Sequence, residues 1–295
     1  MTTTSSEASR TAVLVCQGRA VAHGRIALDR FEDPIAMALL REPEQAAVER
    51  ARADAPPAGW ADRIEYEMLA ANAEVIVPRT VAIDHAVLAR ANPQLVILGA
   101  GLDSRAWRLV ELADVDVFEV DRPASQQDKR DRAEGLRPVT KSVRFVPVDF
   151  ARDRLGPALV AAGHRDSLPT TWIWEGVVPY LTRSDVEATV GAIAERSATG
   201  SRLVVNYQAP SVPAWLGRQV ARGLTALSRR PDPAAGERRR SAWSPAAMRR
   251  LLTRHGFQVD SDRDLLTLAQ QLEVPTRHRH SLRTGRIAVA DRLAP

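Results

Sequence analysis

The sequence predicts an α/β fold with an open, mostly parallel sheet that is doubly wound, with helices on both of its faces. The first indication is the stretch LVILGAGLDSR at 95–105, where a short apolar strand runs directly into the turn Gly99-Ala100-Gly101. The second is the regular alternation of short apolar runs and helical stretches from Leu95 onward, which is typical of a parallel sheet. The third is that successive strands are followed by glycine or by an acidic residue.

The glycine turn predicts a site at which the backbone passes close to a ligand, since glycine has no Cβ and accepts positive φ. The third glycine of the dinucleotide fingerprint G-x-G-x-x-G is missing, because Ser104 stands in its place. Asp103, beside it, would repel a pyrophosphate. A nucleotide cofactor without phosphates, such as S-adenosylmethionine, is therefore expected rather than a dinucleotide.

Acidic residues follow the next strands of the predicted sheet. The strand at 115–121 ends in Glu119 and Asp121, about 20 residues after the glycine turn, where α/β nucleotide sites place a carboxylate on the ribose. Asp149 and Glu175 follow two later strands. Because ligands bind at the carboxyl ends of such strands, we expect these acids to line one pocket.

The remaining elements follow from hydrophobic periodicity and from turn residues. Further strands are predicted at 143–148, 171–174, 202–207, 257–259 and 287–290, and helices at 124–134, 155–162, 185–197 and 244–255. The N-terminal part is helical over 11–40 with interruptions near Gly18 and Gly24, and over 60–91 with a boundary at Pro78.

We expect one domain over 11–295 behind a disordered leader at 1–10. Within this domain the expected parts are an N-terminal helical cap at 11–92, a cofactor-binding core at 93–207, a lid insertion at 208–243, and a C-terminal helix with two strands at 244–295. A long Pro-, Ala- and Arg-rich insert within a compact domain is usually a lid or binding loop, or else disordered. We interpret it as a mobile lid over the substrate side, with a disordered surface loop as the alternative.

Composition excludes several classes of protein. The chain has 295 residues and a net charge of +5, but its 41 basic residues are interspersed with 36 acidic ones, so no nucleic-acid partner is expected. A single cysteine, Cys16, excludes an internal disulfide and a cysteine-based metal cluster, and we expect no metal. No apolar run approaches the roughly 18 residues of a membrane span. A cytoplasmic protein that does not contact membranes is expected.

Five segments in this order resemble the leucine carboxyl methyltransferase family. The segments are RTVAID at 79–84, LGAGLDSRAWRL at 98–109, FEVDRP at 118–123, VPVDF at 146–150 and WIWEGVVPYL at 172–181. The resemblance extends from about Thr11 to Tyr207. It implies the Rossmann-like fold of class I methyltransferases, a seven-stranded sheet whose last strand is antiparallel, and S-adenosyl-L-methionine as cofactor.

The resemblance also implies which residues hold the amino-acid part of the cofactor. Arg79 would pair with its carboxylate, for which a guanidinium fork is well shaped. Gly99 and Gly101 would line the cofactor turn. A basic N-terminal residue of the family contacts the cofactor as well, and either Arg19 or Arg25 could take this role here.

Other matching positions would hold the nucleoside part and face the methyl acceptor. Asp121 would bind the ribose, and Asp149 with Phe150 would hold the adenine. Glu175 would lie close to the methionine end of the cofactor. Tyr180 would lie on the acceptor side and is the one candidate catalytic residue.

The expected reaction is in-line methyl transfer to a carboxylate oxygen of a small molecule or of a peptide C-terminus. A carboxylate is already ionised at neutral pH and needs no general base. Three alternatives stay open at this point. A phenol or alcohol acceptor would require a base, with His23, His85, His164 or His255 available, and a nicotinamide-dependent oxidoreductase shares the same fold logic. The third is a non-catalytic protein that binds nucleic acid or another acidic partner through the Arg-rich segment 229–240.

Overall fold

The computed structural model describes residues 9–53, 55–150, 152–210 and 240–294. The predicted leader falls outside these residues except for Ser9 and Arg10, which belong to the first helix rather than to a leader: the Ser9 side chain caps it and Arg10 is its first residue. Most of the predicted lid, residues 211–239, also lies outside the described part. No helix within that part is long and apolar enough to cross a bilayer.

Ten helices and seven strands are described. The helices are α1 Arg10–Ala22, α2 Glu42–Arg52, α3 Trp60–Leu88, α4 Arg105–Arg108, α5 Pro123–Arg132, α6 Leu155–Ala161, α7 Arg183–Glu195, α8 Pro245–Arg254, α9 Leu265–Gln271 and α10 Arg279–Thr284. The strands are β1 Gln94–Leu98, β2 Asp116–Asp121, β3 Ser142–Pro147, β4 Thr170–Trp174, β5 Arg202–Gln208, β6 Phe257–Asp264 and β7 Gly285–Arg292.

The strands form one seven-stranded sheet in the order β3-β2-β1-β4-β5-β7-β6. Strands β1 to β5 pair in parallel, and β7 runs antiparallel to both β5 and β6. This arrangement confirms the predicted doubly wound sheet with an antiparallel last strand.

Helices cover both faces of the sheet, and a separate apolar core lies on each. All five residues of β1 are buried, as expected for a central parallel strand. Leu95 and Ile97 pack into the core beneath α1, α2 and α3, whereas Val96 and Leu98 pack into the core beneath α6, α7 and α8. The alternation of strand side chains thus explains why nearly every residue of β1 is apolar.

The strand order reverses direction between β1 and β4. In open α/β sheets the crevice at this switch point is where ligands bind. The turn at Gly99 leaves β1 here, and Glu175 follows the end of β4 on the other side. The fold therefore places the two central sequence signals at one crevice.

Two predicted breaks in the N-terminal helices are wrong. Pro78 lies inside the continuous helix α3, where the buried neighbours Ile76, Val77 and Thr80 hold the chain helical despite the missing N–H. Gly18 lies inside α1, and a Cβ at this position would stand 2.5 Å from Nδ2 of Asn72. Close packing between α1 and α3, rather than a break, accounts for this glycine.

Two further differences concern lengths and additional helices. The region 23–40, predicted as mainly helical, consists of turns with no assigned helix. Strand β6 extends to Asp264, well beyond the predicted 257–259. Its second half was not predicted because it is polar, as an edge strand can be. The short helices α9 and α10 join β6 to β7 and were not predicted.

His164 provides a test of the packed core at the base of the sheet. It is 3% exposed, lies edge-on to Phe118, and shares a 3.0 Å hydrogen bond between Nε2 and Oγ1 of Thr170. Burial, and then the nearby Arg196, lower its pKa from 6.5 to about 4. The unfolded chain thus gains a proton near pH 6.5 that the folded protein does not accept until the pH approaches 4.

The sign of this difference predicts that stability is present above the unfolded pKa and is lost on acidification. We expect the His164 contribution to the free energy of unfolding to fall by about 2 kcal/mol between about pH 7 and 5. Urea titrations of the wild type and of His164→Gln should show this difference. An identical pH dependence in the two proteins would contradict it.

Candidate active site

A cleft of about 410 Å³ opens at the carboxyl ends of β1, β2 and β4. Seven of the eight predicted site residues line it, namely Arg79, Gly99, Asp121, Asp149, Phe150, Glu175 and Tyr180. Gly101 does not line the cleft, but its N–H donates to Oδ2 of Asp121 over 2.7 Å. The volume is in the range of small-molecule sites. Residues predicted from separate motifs thus share one cleft.

The glycine turn has the geometry that its sequence predicts. Gly99 and Gly101 have φ values of +67° and +49°. A Cβ on Gly99 would stand 2.2 Å from Cγ2 of Val177, and one on Gly101 would stand 2.9 Å from Cβ of Ala12 on α1. Glycine is therefore required at both positions by conformation and by close packing.

Substituting Gly99 should cost more than backbone strain alone. We expect Gly99→Ala to lower the free energy of unfolding by about 1–3 kcal/mol, because alanine would add a steric clash to an unfavourable φ. Gly135→Ala is the matched control, since Gly135 has φ +82° and open space around its missing Cβ. Equal losses in the two variants, measured by chemical denaturation, would exclude the clash.

Asp121 is fixed at the end of β2 by backbone donors. Its Oδ1 accepts a 2.7 Å hydrogen bond from the N–H of Arg122, and its Oδ2 accepts one from the N–H of Gly101. The remaining lone pairs of this half-buried carboxylate are available to a ligand in the cleft. Glu119, two residues earlier, is fully buried and paired with Lys129, and burial raises its pKa to about 7. Of the three acids on this strand, Asp116, Glu119 and Asp121, only Asp121 lines the cleft.

A network of arginines and carboxylates forms the wall of the cleft beside β4. Glu175 Oε1 lies 2.6 Å from Nε of Arg79, and Glu175 Oε2 lies 3.0 Å from Nη1 of Arg105. Arg105 also pairs with Asp103 and, over 2.7 Å from its Nε, with Oδ1 of Asp84. One buried guanidinium therefore joins the cap helix α3, the glycine turn and the end of β4.

This network keeps the acids of the wall ionised. Burial raises the pKa of Glu175, but Arg79 and Arg105 outweigh it, and the net effect is a lowered pKa. Asp103 responds in the same way, with burial outweighed chiefly by Arg105, and its pKa is lowered to about 2. Because Arg105 balances the charge of Asp103, repulsion of a pyrophosphate is weaker than the sequence suggested.

The structure distinguishes the two N-terminal arginines. Arg19 on α1 lines the cleft, held by a 2.7 Å bond from its Nε to Oδ2 of Asp33 and a 2.6 Å bond from its Nη2 to the carbonyl of Leu102. Arg25 lies on the exposed turn beyond α1, where its guanidinium donates to the carbonyl of Arg52. Of the two candidates, only Arg19 is in a position to contact a ligand in the cleft.

The end of the cleft beyond Glu175 is formed by a short turn and by Arg240, near the C-terminal end of the predicted lid. Tyr180 lines the cleft here together with Asp185 and Arg240. The N–H of Arg240 donates to the carbonyl of Pro179 over 2.7 Å, which fixes it beside Tyr180. Hydrogen bonds from Thr182 lower the pKa of Asp185.

Sequence reasoning missed two residues of this site. Arg105 was part of a quoted motif but received no role, although an arginine two residues after the glycine-turn acid could have indicated an ion pair. Arg240 lies beyond the part of the chain that resembles the family. It belongs to the predicted lid and ends the Arg-rich segment 229–240, but sequence reasoning gave this segment an acidic partner and no place in the cleft. No histidine is among the described residues that line the cleft, and the described part of the chain contains no group of three or more potential metal ligands.

Sheet order, glycine turn and strand-end acids together define the fold of class I methyltransferases. The profile of the family described as leucine carboxyl methyltransferase matches residues 12–194, which is more than half of the chain. The chain belongs to this family. Membership of this family favours a methyltransferase over the nicotinamide-dependent oxidoreductase that the sequence left open.

Two relatives illustrate the similarity in sequence, and both carry the name "Putative S-adenosyl-L-methionine-dependent methyltransferase". The one from Streptomyces coelicolor is 35% identical over 177 residues, which are 59% of this chain and 60% of that protein. The one from Mycobacterium marinum is 44% identical over 114 residues, 38% of this chain and 36% of that protein. The chain thus spans at most about 60% of the length of these two relatives.

Two solved structures show the similarity in fold. A "putative methyltransferase" from Thermobifida fusca superimposes with a TM-score of 0.54 at 18% identity, covering 98% of this chain and 96% of that one. A SAM-dependent methyltransferase from Methanosarcina mazei gives a TM-score of 0.50 at 14% identity, covering 72% of this chain and 98% of that one. At these identities the comparison supports the fold alone.

Proposed function

We propose that this protein is an S-adenosylmethionine-dependent methyltransferase that forms a methyl ester on a carboxylate of a small molecule or of a peptide C-terminus. Family membership and the class of fold support the methyltransferase part. The arrangement of charges in the cleft supports both the cofactor and the carboxylate acceptor.

The cleft offers complementary groups for the amino-acid part of S-adenosylmethionine. Arg79 and Arg19 present two guanidinium groups, which suit a carboxylate. Glu175 is held ionised beside them and suits an ammonium group. A cation and an anion are thus both fixed at the same end of the cleft, as a zwitterionic ligand requires.

The other end of the cleft fits an uncharged nucleoside. The Asp121 carboxylate has lone pairs available for the ribose hydroxyls. Asp149 and Phe150 line the cleft beyond it and supply a polar group and an aromatic ring for the adenine. When bound, S-adenosylmethionine supplies an electrophilic methyl group on its sulfonium. The residues of the cleft hold the cofactor in place, and they hold the acceptor oxygen in line with its methyl group.

The observation that carries the carboxylate proposal is that the described residues of the cleft lining include no suitable general base near the acceptor end. A general base works best when its pKa lies near the operating pH. Glu175, Asp103 and Asp185 all have lowered pKa values, which makes them weak bases, and no histidine is among the described residues of the cleft lining. An alcohol or phenol would have to lose a proton here, whereas a carboxylate has already lost its proton.

Arg240 supplies a positive charge on the acceptor side. Its backbone is fixed to Pro179 and its side chain lines the cleft beside Tyr180. A guanidinium and a phenolic hydroxyl together suit one oxygen of a carboxylate, which leaves the other oxygen free to accept the methyl group. We therefore assign Arg240 and Tyr180 to the orientation of the acceptor.

The acceptor class is tested by the chemical stability of the product. The protein is incubated with S-adenosylmethionine labelled in its methyl group and with a panel of aliphatic carboxylic acids, peptides with free C-termini, and phenols. Matched controls are the same peptides with amidated C-termini. We expect label only with free carboxylates, and alkali should release it as volatile methanol. Alkali-stable label on a phenol or alcohol would contradict the carboxylate proposal.

A further inference from the structure

A second cavity, of about 620 Å³, lies between α3, α9 and the outer strands β6 and β7. Pro78, Ala82 and His85 form its wall on α3, with the spacing of one helix face. The cofactor cleft uses Arg79 of the same helix, but the two cavities share no lining residue. This second cavity is therefore a separate feature with its own lining.

One wall of the second cavity is apolar. Ile287 and Val289 alternate on β7 so that both side chains face it, and Leu268 of α9 and Leu272, which directly follows α9, line the same wall. These side chains are continuous with the apolar core on this face of the sheet. This wall can therefore contact the hydrocarbon or aromatic part of a ligand.

The rim of the cavity carries an excess of positive charge. Two of its four arginines, Arg90 and Arg202, both bind the carboxylate of Asp291, with N–O distances of 2.7 Å. The other two, Arg30 and Arg263, are exposed, and no acid in the described part of the chain lies within ion-pair distance of either. Arg263 makes a 3.3 Å hydrogen bond to Gln271.

A bulge in β6 directs one of these arginines towards the cavity. The pairing of β6 with β7 shifts between Val259 and Ser261, so that Asp260 is the extra residue. After this shift Ser261 and Arg263 face the cavity, while Asp262 between them accepts a 2.6 Å hydrogen bond from Tyr207. Bulges commonly re-aim side chains beside binding sites.

Asp260 is the one acid of the rim and does not cancel this excess. It lies close enough to Arg202 to help raise the pKa of that arginine. The carboxylate of Asp260 thus interacts with Arg202, which already pairs with Asp291. The positive charges of Arg30 and Arg263 remain available to a ligand.

We propose that the second cavity binds a small amphipathic organic anion. The apolar body of this ligand lies against Val289 and Leu272, and its anionic head lies between Arg30 and Arg263. The volume is in the range of sites for small molecules. The proposal is independent of the identity of the methyl acceptor, because neither the cofactor cleft nor Tyr180 contributes to this site.

The proposal is tested by calorimetric titration of octanoate into the 295-residue protein saturated with S-adenosylhomocysteine. We expect saturable binding of one octanoate per chain. Acetate, which lacks the apolar body, and 1-octanol, which lacks the charge, should each bind at least tenfold more weakly. The absence of saturable octanoate binding, or displacement of octanoate by S-adenosylhomocysteine in the reverse titration, would overturn the proposal.

Charge reversals locate the site. Arg263→Glu and Arg30→Glu come from different elements and should each weaken octanoate binding at least tenfold, whereas Arg250→Glu on the exposed face of α8 should change it less than twofold. An unchanged melting temperature and an unchanged S-adenosylhomocysteine affinity show that each variant is folded. If Arg30→Glu does not fold, Arg30→Gln is the milder replacement. Wild-type octanoate affinity in folded Arg263 and Arg30 variants would overturn the proposal.

Discussion

Replacing Arg105 by methionine is expected to lower the free energy of unfolding by about 3–5 kcal/mol. The Arg105 side chain is 3% exposed and contacts three carboxylates, those of Asp84, Asp103 and Glu175. Removing it would leave buried negative charge without its main partner, which costs far more than losing a surface pair. Because these acids come from α3, the glycine turn and β4, the junction between cap and sheet should be weakened first.

Urea denaturation of Arg105→Met and of Arg250→Met, an exposed arginine on α8, measures this effect. The control should change stability by no more than about 0.5 kcal/mol. Arg105→Lys should fall between the two, since lysine keeps the charge but lacks the planar fork that reaches several carboxylates. A loss below about 1 kcal/mol in Arg105→Met would contradict a central role for this arginine in the fold.

Replacing Asp121 by alanine is expected to weaken the binding of S-adenosylhomocysteine about 100-fold, which corresponds to about 2.7 kcal/mol. The carboxylate is proposed to accept hydrogen bonds from the ribose, and it also fixes the glycine turn through the N–H of Gly101. Both contributions are lost in the variant. Hydrogen bonds to a charged group contribute about 1.5–3 kcal/mol, which sets the size of the effect.

The matched control for this measurement is Asp116→Ala. Asp116 is the same residue type at the opposite end of β2, where it binds Ser142 and Lys141 away from the cleft. Its replacement should leave cofactor affinity within about twofold. Equal affinities in wild type and Asp121→Ala, measured by calorimetry, would remove Asp121 from the cofactor site.

The sheet and the glycine turn could be predicted because their signals are local. The apolar run of β1, the positive-φ turn at Gly99 and Gly101, and the short strands that follow are each specified within a few residues. The helical cap was less predictable because packing overrides local preference there. Pro78 stays helical since its neighbours are buried, and Gly18 marks close contact between helices rather than a break.

The candidate site, like the fold, could be predicted where its signals are local and not where packing decides. Asp121, Asp149 and Glu175 could be grouped because the carboxyl ends of parallel strands meet at one edge of the sheet. The choice of Arg19 over Arg25, by contrast, depends on how α1 packs over the turn, which no local pattern reveals. Arg240 is held at the cleft by contacts such as that with Pro179, far away in sequence.

The ion pairs of Glu175 also indicate different roles for its two partners, Arg105 and Arg79. Arg105 is saturated by three carboxylates, which leaves it a structural role. Arg79 pairs with Glu175 through Nε, so its two terminal nitrogens remain to bind a carboxylate. This division allows a strongly charged wall to be stable and still leave a guanidinium for the proposed zwitterionic ligand.

Calorimetric titration of the wild-type protein with S-adenosylhomocysteine, and in parallel with NADH, tests the central claim most directly. The cleft described here predicts one saturable site for S-adenosylhomocysteine with a dissociation constant of about 10 µM or lower, equivalent to about −7 kcal/mol or better. It predicts no saturable binding of NADH. Absence of S-adenosylhomocysteine binding, or saturable binding of NADH that S-adenosylhomocysteine does not displace, would contradict the assignment of this cleft to S-adenosylmethionine.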